Sequence, residues 1–194
     1  MEATGVTLDH EELFHLALQA SSKGDHDKAI RYLKEGLAIS PSAKFYYILG
    51  AQHAEIGMYE RAVEEMTKAL ELDDTMDTAR FQLGLLKMTM NDVEGARGTW
   101  SLLDEKDEGE PLRLFKTSIL EAVSGDFVEA LDIAQRGIDA NNENPALNVD
   151  MNNLVERWKA SLETEAGGIV STEAEDEANT NHFFLSAYKD EKND

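Results

Sequence analysis

Four alanines recur at an almost constant interval, and that interval limits what the chain can fold into more than any other feature. Ala29, Ala62, Ala96 and Ala130 are separated by 33, 34 and 34 residues. Five residues ahead of each alanine a turn begins: Gly24-Asp25, Gly57-Met58, Asn91-Asp92 and Gly125-Asp126. Four residues behind each stands Leu33, Met66, Trp100 or Ala134, followed by Gly36-Leu37, Ala69-Leu70, Leu103 and Gly137-Ile138. The stretch before each turn repeats as well. Leu13, Leu16, Ala17 and Ala20 correspond to Tyr46, Leu49, Gly50 and His53, and to Arg80, Leu83, Gly84 and Lys87. The fourth copy, Leu114, Thr117, Ser118 and Glu121, follows the order least closely.

Apolar residues three and four apart make one stripe on a helix, so each unit predicts two helices joined by a turn. Small residues at the alanine and glycine sites let the two helices approach closely. The Gly-Asp or Asn-Asp pair ends the first helix and caps the second. One such hairpin cannot bury its own apolar face, whereas stacked neighbours can.

The pattern resembles the tetratricopeptide repeat, whose period is about 34 residues and whose signature runs W-x2-L-G-x2-Y…A-x3-F…P. The second copy carries it most fully, with Tyr46-Tyr47-Ile48-Leu49-Gly50, Gly57-Met58-Tyr59 and Ala62. Departures are present. Pro41 closes the first unit, but Asp74, Glu108 and Asn142 stand at the later equivalents, and Arg80 and Lys87 replace aromatics. The resemblance implies an all-α, right-handed superhelical solenoid of four hairpins over residues 10–42, 43–76, 77–110 and 111–144, after an extension at 1–9.

Beyond the repeats, Asn144-Pro145 predicts a helix start, with asparagine as N-cap and proline in the first turn. Leu147, Met151, Leu154, Val155, Trp158 and Leu162 then share one face opposite Asn152, Asn153, Glu156 and Lys159. This is the polar-backed helix that closes a repeat array, expected over residues 145–162. Residues 163–194 read as a flexible acidic tail, with Gly167-Gly168 and the run Glu173-Ala174-Glu175-Asp176-Glu177. It contains one apolar motif at 182–188, in which Phe183, Phe184, Leu185 and Tyr188 are candidate docking residues.

Charge and composition exclude several function classes. With 39 acidic against 18 basic residues, the formal net charge is −21, which repels phosphate backbones and anionic membranes. Nucleic acid is not an expected partner, while a basic flank on a protein partner would be attracted. No run of 18 apolar residues exists, so no membrane insertion is expected. The start, Met1–Glu12, lacks the basic-then-apolar order of a secretory signal. The absence of cysteine removes disulfide and thiolate chemistry and fits a cytoplasmic setting.

No catalytic or metal constellation is seen. His10, His15, His26, His53 and His182 form no H-E-x-x-H pair, and His53 lies on the core stripe as a packed residue. No phosphate-binding or nucleophile-elbow motif appears. Neither an enzyme, a cofactor nor a metal is therefore expected.

In tetratricopeptide arrays the first helices line the inner surface, and the resemblance carries that role to specific residues. Phe14, Tyr47, Phe81 and Phe115 occupy one recurring site. One turn on stand Leu18, Ala51, Leu85 and Ile119, with Met88 and Ala122 continuing the stripe. Helices apolar on two faces have both faces covered, either by stacking within the array or by a partner. A lysine–arginine–asparagine clamp for a C-terminal carboxylate is not matched: Lys44 stands near the right region of the second repeat, but the other sites hold Phe14, Leu18 and Gln82. The resulting expectation is a protein-binding adaptor, assembly factor or chaperone whose groove accepts an apolar or amphipathic segment, with the tail able to shield it. The other class these residues suit is a homo-oligomeric scaffold, with self-association through groove and tail.

Overall fold

In a computed structural model, residues 8–167 are described, and all their regular structure is helical. Two compact units make up the chain, one ending at Ala79 and the other beginning at Arg80.

The first unit holds α1 (His10–Ser22), α2 (His26–Ile39), α3 (Ala43–Glu55) and α4 (Tyr59–Leu72). Asp9 opens α1 with a reciprocal capping box. The Glu12 amide donates to Asp9 Oδ1 at 2.8 Å and the Asp9 amide donates to Glu12 Oε2 at 2.9 Å. The hairpins α1–α2 and α3–α4 pack internally, and α2 packs on α3. Phe45 of α3 is the link between them. Its ring lies 5.0 Å from that of Phe14 and 4.2 Å from that of His10. It also sits directly over Gly36 of α2.

Across the division runs α5 (Asp77–Thr89), followed in the second unit by α6 (Val93–Trp100), α7 (Pro111–Val123), α8 (Phe127–Ala140) and α9 (Pro145–Gly167). A short 3-10 helix, Ser101–Glu105, follows α6 directly. The core of this unit joins Phe81, Trp100, Leu103, Phe115, Leu147, Met151 and Trp158. Whereas its counterparts in the other repeats have 14 residues, α6 has eight. Gly95 and Gly98 weaken the helix it starts, and the tighter 3-10 turn brings Leu103 fully inside.

The repeat signals act as the sequence predicts. Ala29, Ala62, Ala96 and Ala130 are all completely buried. Each hairpin turns through one residue with positive φ: Gly24, Gly57, Asn91 and Gly125. The left-handed conformation ends the first helix, and glycine or asparagine adopts it at least cost. The next residue then caps the second helix. Asp25, Asp92 and Asp126 accept from the amides of Lys28, Gly95 and Glu129. Met58 has no such side chain, and α4 starts without a side-chain cap.

The closing helix is also capped as expected: the Leu147 amide donates to Asn144 Oδ1 at 3.0 Å. Asn148 ties it to α8, its Nδ2 donating to the Asn141 carbonyl at 3.0 Å and the Ile138 carbonyl at 3.3 Å. It runs to Gly167, past residue 162, through a stretch of helix-favouring glutamate and alanine.

Close approach gives the first testable outcome. A Cβ placed on Gly84 would overlap the Trp100 indole, which cannot swing aside because its Nε1–H donates to the Phe81 carbonyl at 2.9 Å. Gly84→Ala is expected to destabilise the chain by about 1–3 kcal/mol, as overpacked cores do. At Gly98 a Cβ meets nothing within 4 Å. There alanine removes glycine's backbone freedom, and Gly98→Ala should stabilise by up to about 1 kcal/mol. Denaturant midpoints of the two variants, measured side by side, should move in opposite directions.

Candidate functional site

The recurring first-helix site is where the sequence places partner binding. Phe14 and Tyr47 are buried in the first unit, as is Ala51, while Leu18 is half-buried. In the second unit Phe81 and Phe115 are fully buried, with Leu85 and Ile119 nearly so. Their rings lie 6.3 Å apart, and Phe81 also stacks on Trp100 at 5.8 Å. The reason is physical: within each unit an aromatic ring of the next first helix covers this site, Phe45 meeting Phe14 at 5.0 Å and Phe115 meeting Phe81.

What reaches solvent is the far edge of the stripe. Met88 is only partly buried on α5. On α7 the series Phe115, Ile119, Ala122 runs outward to Val123, which is 49% exposed. The sequence reading did not single out Val123. Its i+4 spacing from Ile119 is the signal that finds it. The candidate docking residues Phe183, Phe184, Leu185 and Tyr188 lie outside the described residues.

Polar links across the hairpins are a second feature. His53 is buried on α3, and its Nδ1 lies 2.5 Å from Glu65 Oε2 on α4. One repeat later, at the same two positions, Lys87 Nζ donates to Thr99 Oγ1 at 2.8 Å. The same bridge is therefore built with different chemistry, which residue-by-residue matching to an aromatic consensus does not reveal. Gln52, also buried, joins three helices: its Nε2 donates to Ser21 Oγ at 3.0 Å, and its Oε1 faces His26 Nδ1 at 3.0 Å. In the second unit Lys116 of α7 donates to the Asp104 carboxylate, fastening the 3-10 helix. Among the described residues no cluster of three or more side chains suits a metal ion. No described helix is long and apolar enough to cross a membrane.

Burial pushes the Glu65 carboxyl above its ordinary value, against the hydrogen bond and charge of His53 and the charges of Lys34 and Arg61, which pull it down. The folded chain thus holds this proton more tightly than the unfolded chain, and stability falls as pH rises from the ordinary glutamate range through the raised value. Glu65→Gln removes that titration. Over the mildly acidic to neutral range its denaturant midpoint should lose less than the wild-type midpoint as pH rises. Parallel pH profiles would contradict this assignment.

A helical-hairpin repeat protein is what these elements define. Residues 13–42 and 43–75 match the sequence model of the tetratricopeptide repeat, so the chain carries tetratricopeptide repeats there. Solved structures share its fold. The crystal structure of MamA is 22% identical, covering 68% of this chain and 77% of that one, with a TM-score of 0.58. YrrB, described as a TPR protein with an unusual peptide-binding site, is 17% identical over 74% of each chain, with a TM-score of 0.55. PilF of Pseudomonas aeruginosa is 15% identical over 83% of this chain and 78% of its own, with a TM-score of 0.58. No curated protein sequence matches the chain.

Proposed function

We propose that this chain is a protein-binding module, an adaptor, assembly factor or chaperone, that holds an apolar or amphipathic segment of a partner on its first-helix faces. The observation that carries this reading is the graded stripe on α7, fully buried at Phe115 and half-exposed at Val123. Such a stripe offers a partner an apolar edge already backed by a rigid core, so little ordering entropy is spent on contact. Partly covered Met88 is an adaptable second contact, since methionine re-packs around varied partners. Leu18 plays the corresponding part in the first unit. Phe81, Leu85, Phe115 and Ile119 are the buried members of the row in the second unit, and Phe14, Tyr47 and Ala51 those in the first. The formal charge of −21 favours a partner whose apolar segment has basic flanks. The peptide-binding site named for YrrB makes this use of the fold reasonable. A cytoplasmic setting and the absence of catalysis belong to the same reading.

The test contrasts surface and core. Phe81 is 0% exposed, so Phe81→Asp should abolish cooperative unfolding and says nothing about binding. Val123→Asp should leave the thermal transition nearly unchanged and weaken the affinity for a captured, identified partner at least about tenfold, equivalent to about 1.4 kcal/mol. Val128→Asp is the control, on α8 and 69% exposed, and should bind as wild type does. Equal binding by all three folded chains would sink the proposal. Concentration-dependent self-association in light scattering, with no partner captured, would favour a homo-oligomeric scaffold instead.

A further inference from the structure

The polar bridges of the second and third hairpins occupy one register and use two chemistries. His53 of α3 and Glu65 of α4 stand where Lys87 of α5 and Thr99 of α6 stand, 34 residues further on. In the first hairpin those positions hold Ala20 and Tyr32, and in the fourth Glu121 and Ile133. The second hairpin alone of the four pairs an imidazole with a carboxyl. An ammonium on a hydroxyl does not titrate in the mildly acidic to neutral range, whereas an imidazole facing a carboxyl does.

Both groups lie inside: the His53 side chain is 2% exposed and that of Glu65 18%. With one proton between Glu65 Oε2 and His53 Nδ1 the pair is neutral as a whole, whether the carboxyl donates to the ring or the ring donates to the carboxylate. Loss of that proton to water leaves one negative charge at the site. Burial opposes that charge more than the His53 hydrogen bond and the facing charges of Lys34 on α2 and Arg61 on α4 favour it. Two further imidazoles touch α3 elsewhere: His26 of α2 meets Gln52, and His10 of α1 lies on Phe45. The second hairpin also lacks a side-chain cap on its second helix, since Met58 stands where Asp25, Asp92 and Asp126 cap the others. The bridge at Glu65, within the first two turns of α4, is thus a polar contact that fastens this uncapped end on α3.

We infer that His53 and Glu65 form a proton-held latch on the second hairpin: the start of α4 is clamped to α3 while the pair shares a proton, and opens more often once that proton is lost. Glu65 freed into water holds a proton less tightly than Glu65 at the bridge, so opening gives the proton up and is favoured as pH rises. The third hairpin, with a bridge in the same register and no such proton, does not respond. One hairpin of the array is thereby singled out for local opening, while its neighbour stays closed. The latch belongs to the chain by itself and is independent of whether the first-helix edge holds a partner.

Amide hydrogen exchange on the full-length protein tests this, with each rate divided by the intrinsic chemical rate at that pH. Between about pH 5 and about pH 7.5, protection of residues 59–66 should fall at least about threefold more than protection of α6. The repeat supplies its own control. His53→Lys with Glu65→Thr moves the third hairpin's bridge into the second and should abolish the excess. If that double variant does not fold, Glu65→Gln, which keeps the size and hydrogen bonding of the side chain but has no acid proton, should abolish it instead. A response of the second hairpin equal to that of the third would overturn the latch, as would protection that climbs with pH. An excess that persists in Glu65→Gln would assign the response to His10 or His26 and refute the latch as well.

Discussion

The structure rests on close approach of two helices at positions where a side chain has almost no volume. Ala29, Ala62, Ala96 and Ala130 are fully buried, and Gly36, Gly50, Gly84 and Gly137 each lie under a large neighbour: Phe45, Met66, Trp100 and Phe115. Where a backbone presents only hydrogen or methyl, the facing ring settles into the gap and dispersion contacts replace what would otherwise be a void. Everything else in a hairpin follows from this. The turn must return the chain at a fixed distance, which the left-handed Gly24, Gly57, Asn91 and Gly125 achieve. The second helix must begin at once, which the adjacent aspartates favour. Because both constraints recur with the same period, so does the hairpin.

That origin explains what could be read from residues alone. Alanine, glycine and the turn pairs have nearly one structural use each in a helical chain, and the Asn144 cap is of the same kind. The first-helix face was harder. Spacing shows that Phe14, Tyr47, Phe81 and Phe115 share a side, but not what covers that side. A stripe facing a partner and a stripe facing the next helix have the same composition. Burial separates them: most of the stripe is interior, and its accessible part is Leu18, Met88 and Val123. The bridges His53–Glu65 and Lys87–Thr99 were hidden for another reason. They join residues 12 positions apart on different helices, and the consensus holds an aromatic at the first of them. The shortening of α6 at Trp100 came from the third unit's own glycines, a local propensity that outweighed the repeat.

Electrostatics contribute to the surface more than to the fold. Among the described residues most ion pairs are exposed and three or four residues apart, as Lys28–Asp25, Lys68–Glu71 and Lys159–Glu156 are. Pairs of this kind add little, because water and salt screen them and two long side chains lose freedom on pairing. The exceptions, His53–Glu65 and Lys116–Asp104, each place one partner inside, where removing the other leaves a polar group stranded. They act as pins: one fixes α4 on α3, the other fixes the 3-10 helix on α7. The formal charge of −21 adds a long-range repulsion toward other polyanions.

An array of stacked hairpins has two ends, and each end exposes a face evolved for stacking. The first end is finished by polarity: Glu11, Glu12, His15 and Gln19 stand on the outer side of α1, all exposed. The other end is finished only in part. Asn152, Asn153 and Glu156 give α9 a polar back, yet Val149 stays open at the position where every earlier repeat has a covered residue. A single exposed valine needs no explanation of its own, since isolated apolar residues are common on surfaces. It stands among Asn152, Asn153 and Glu156, so the second end, like the first, presents polar groups to water.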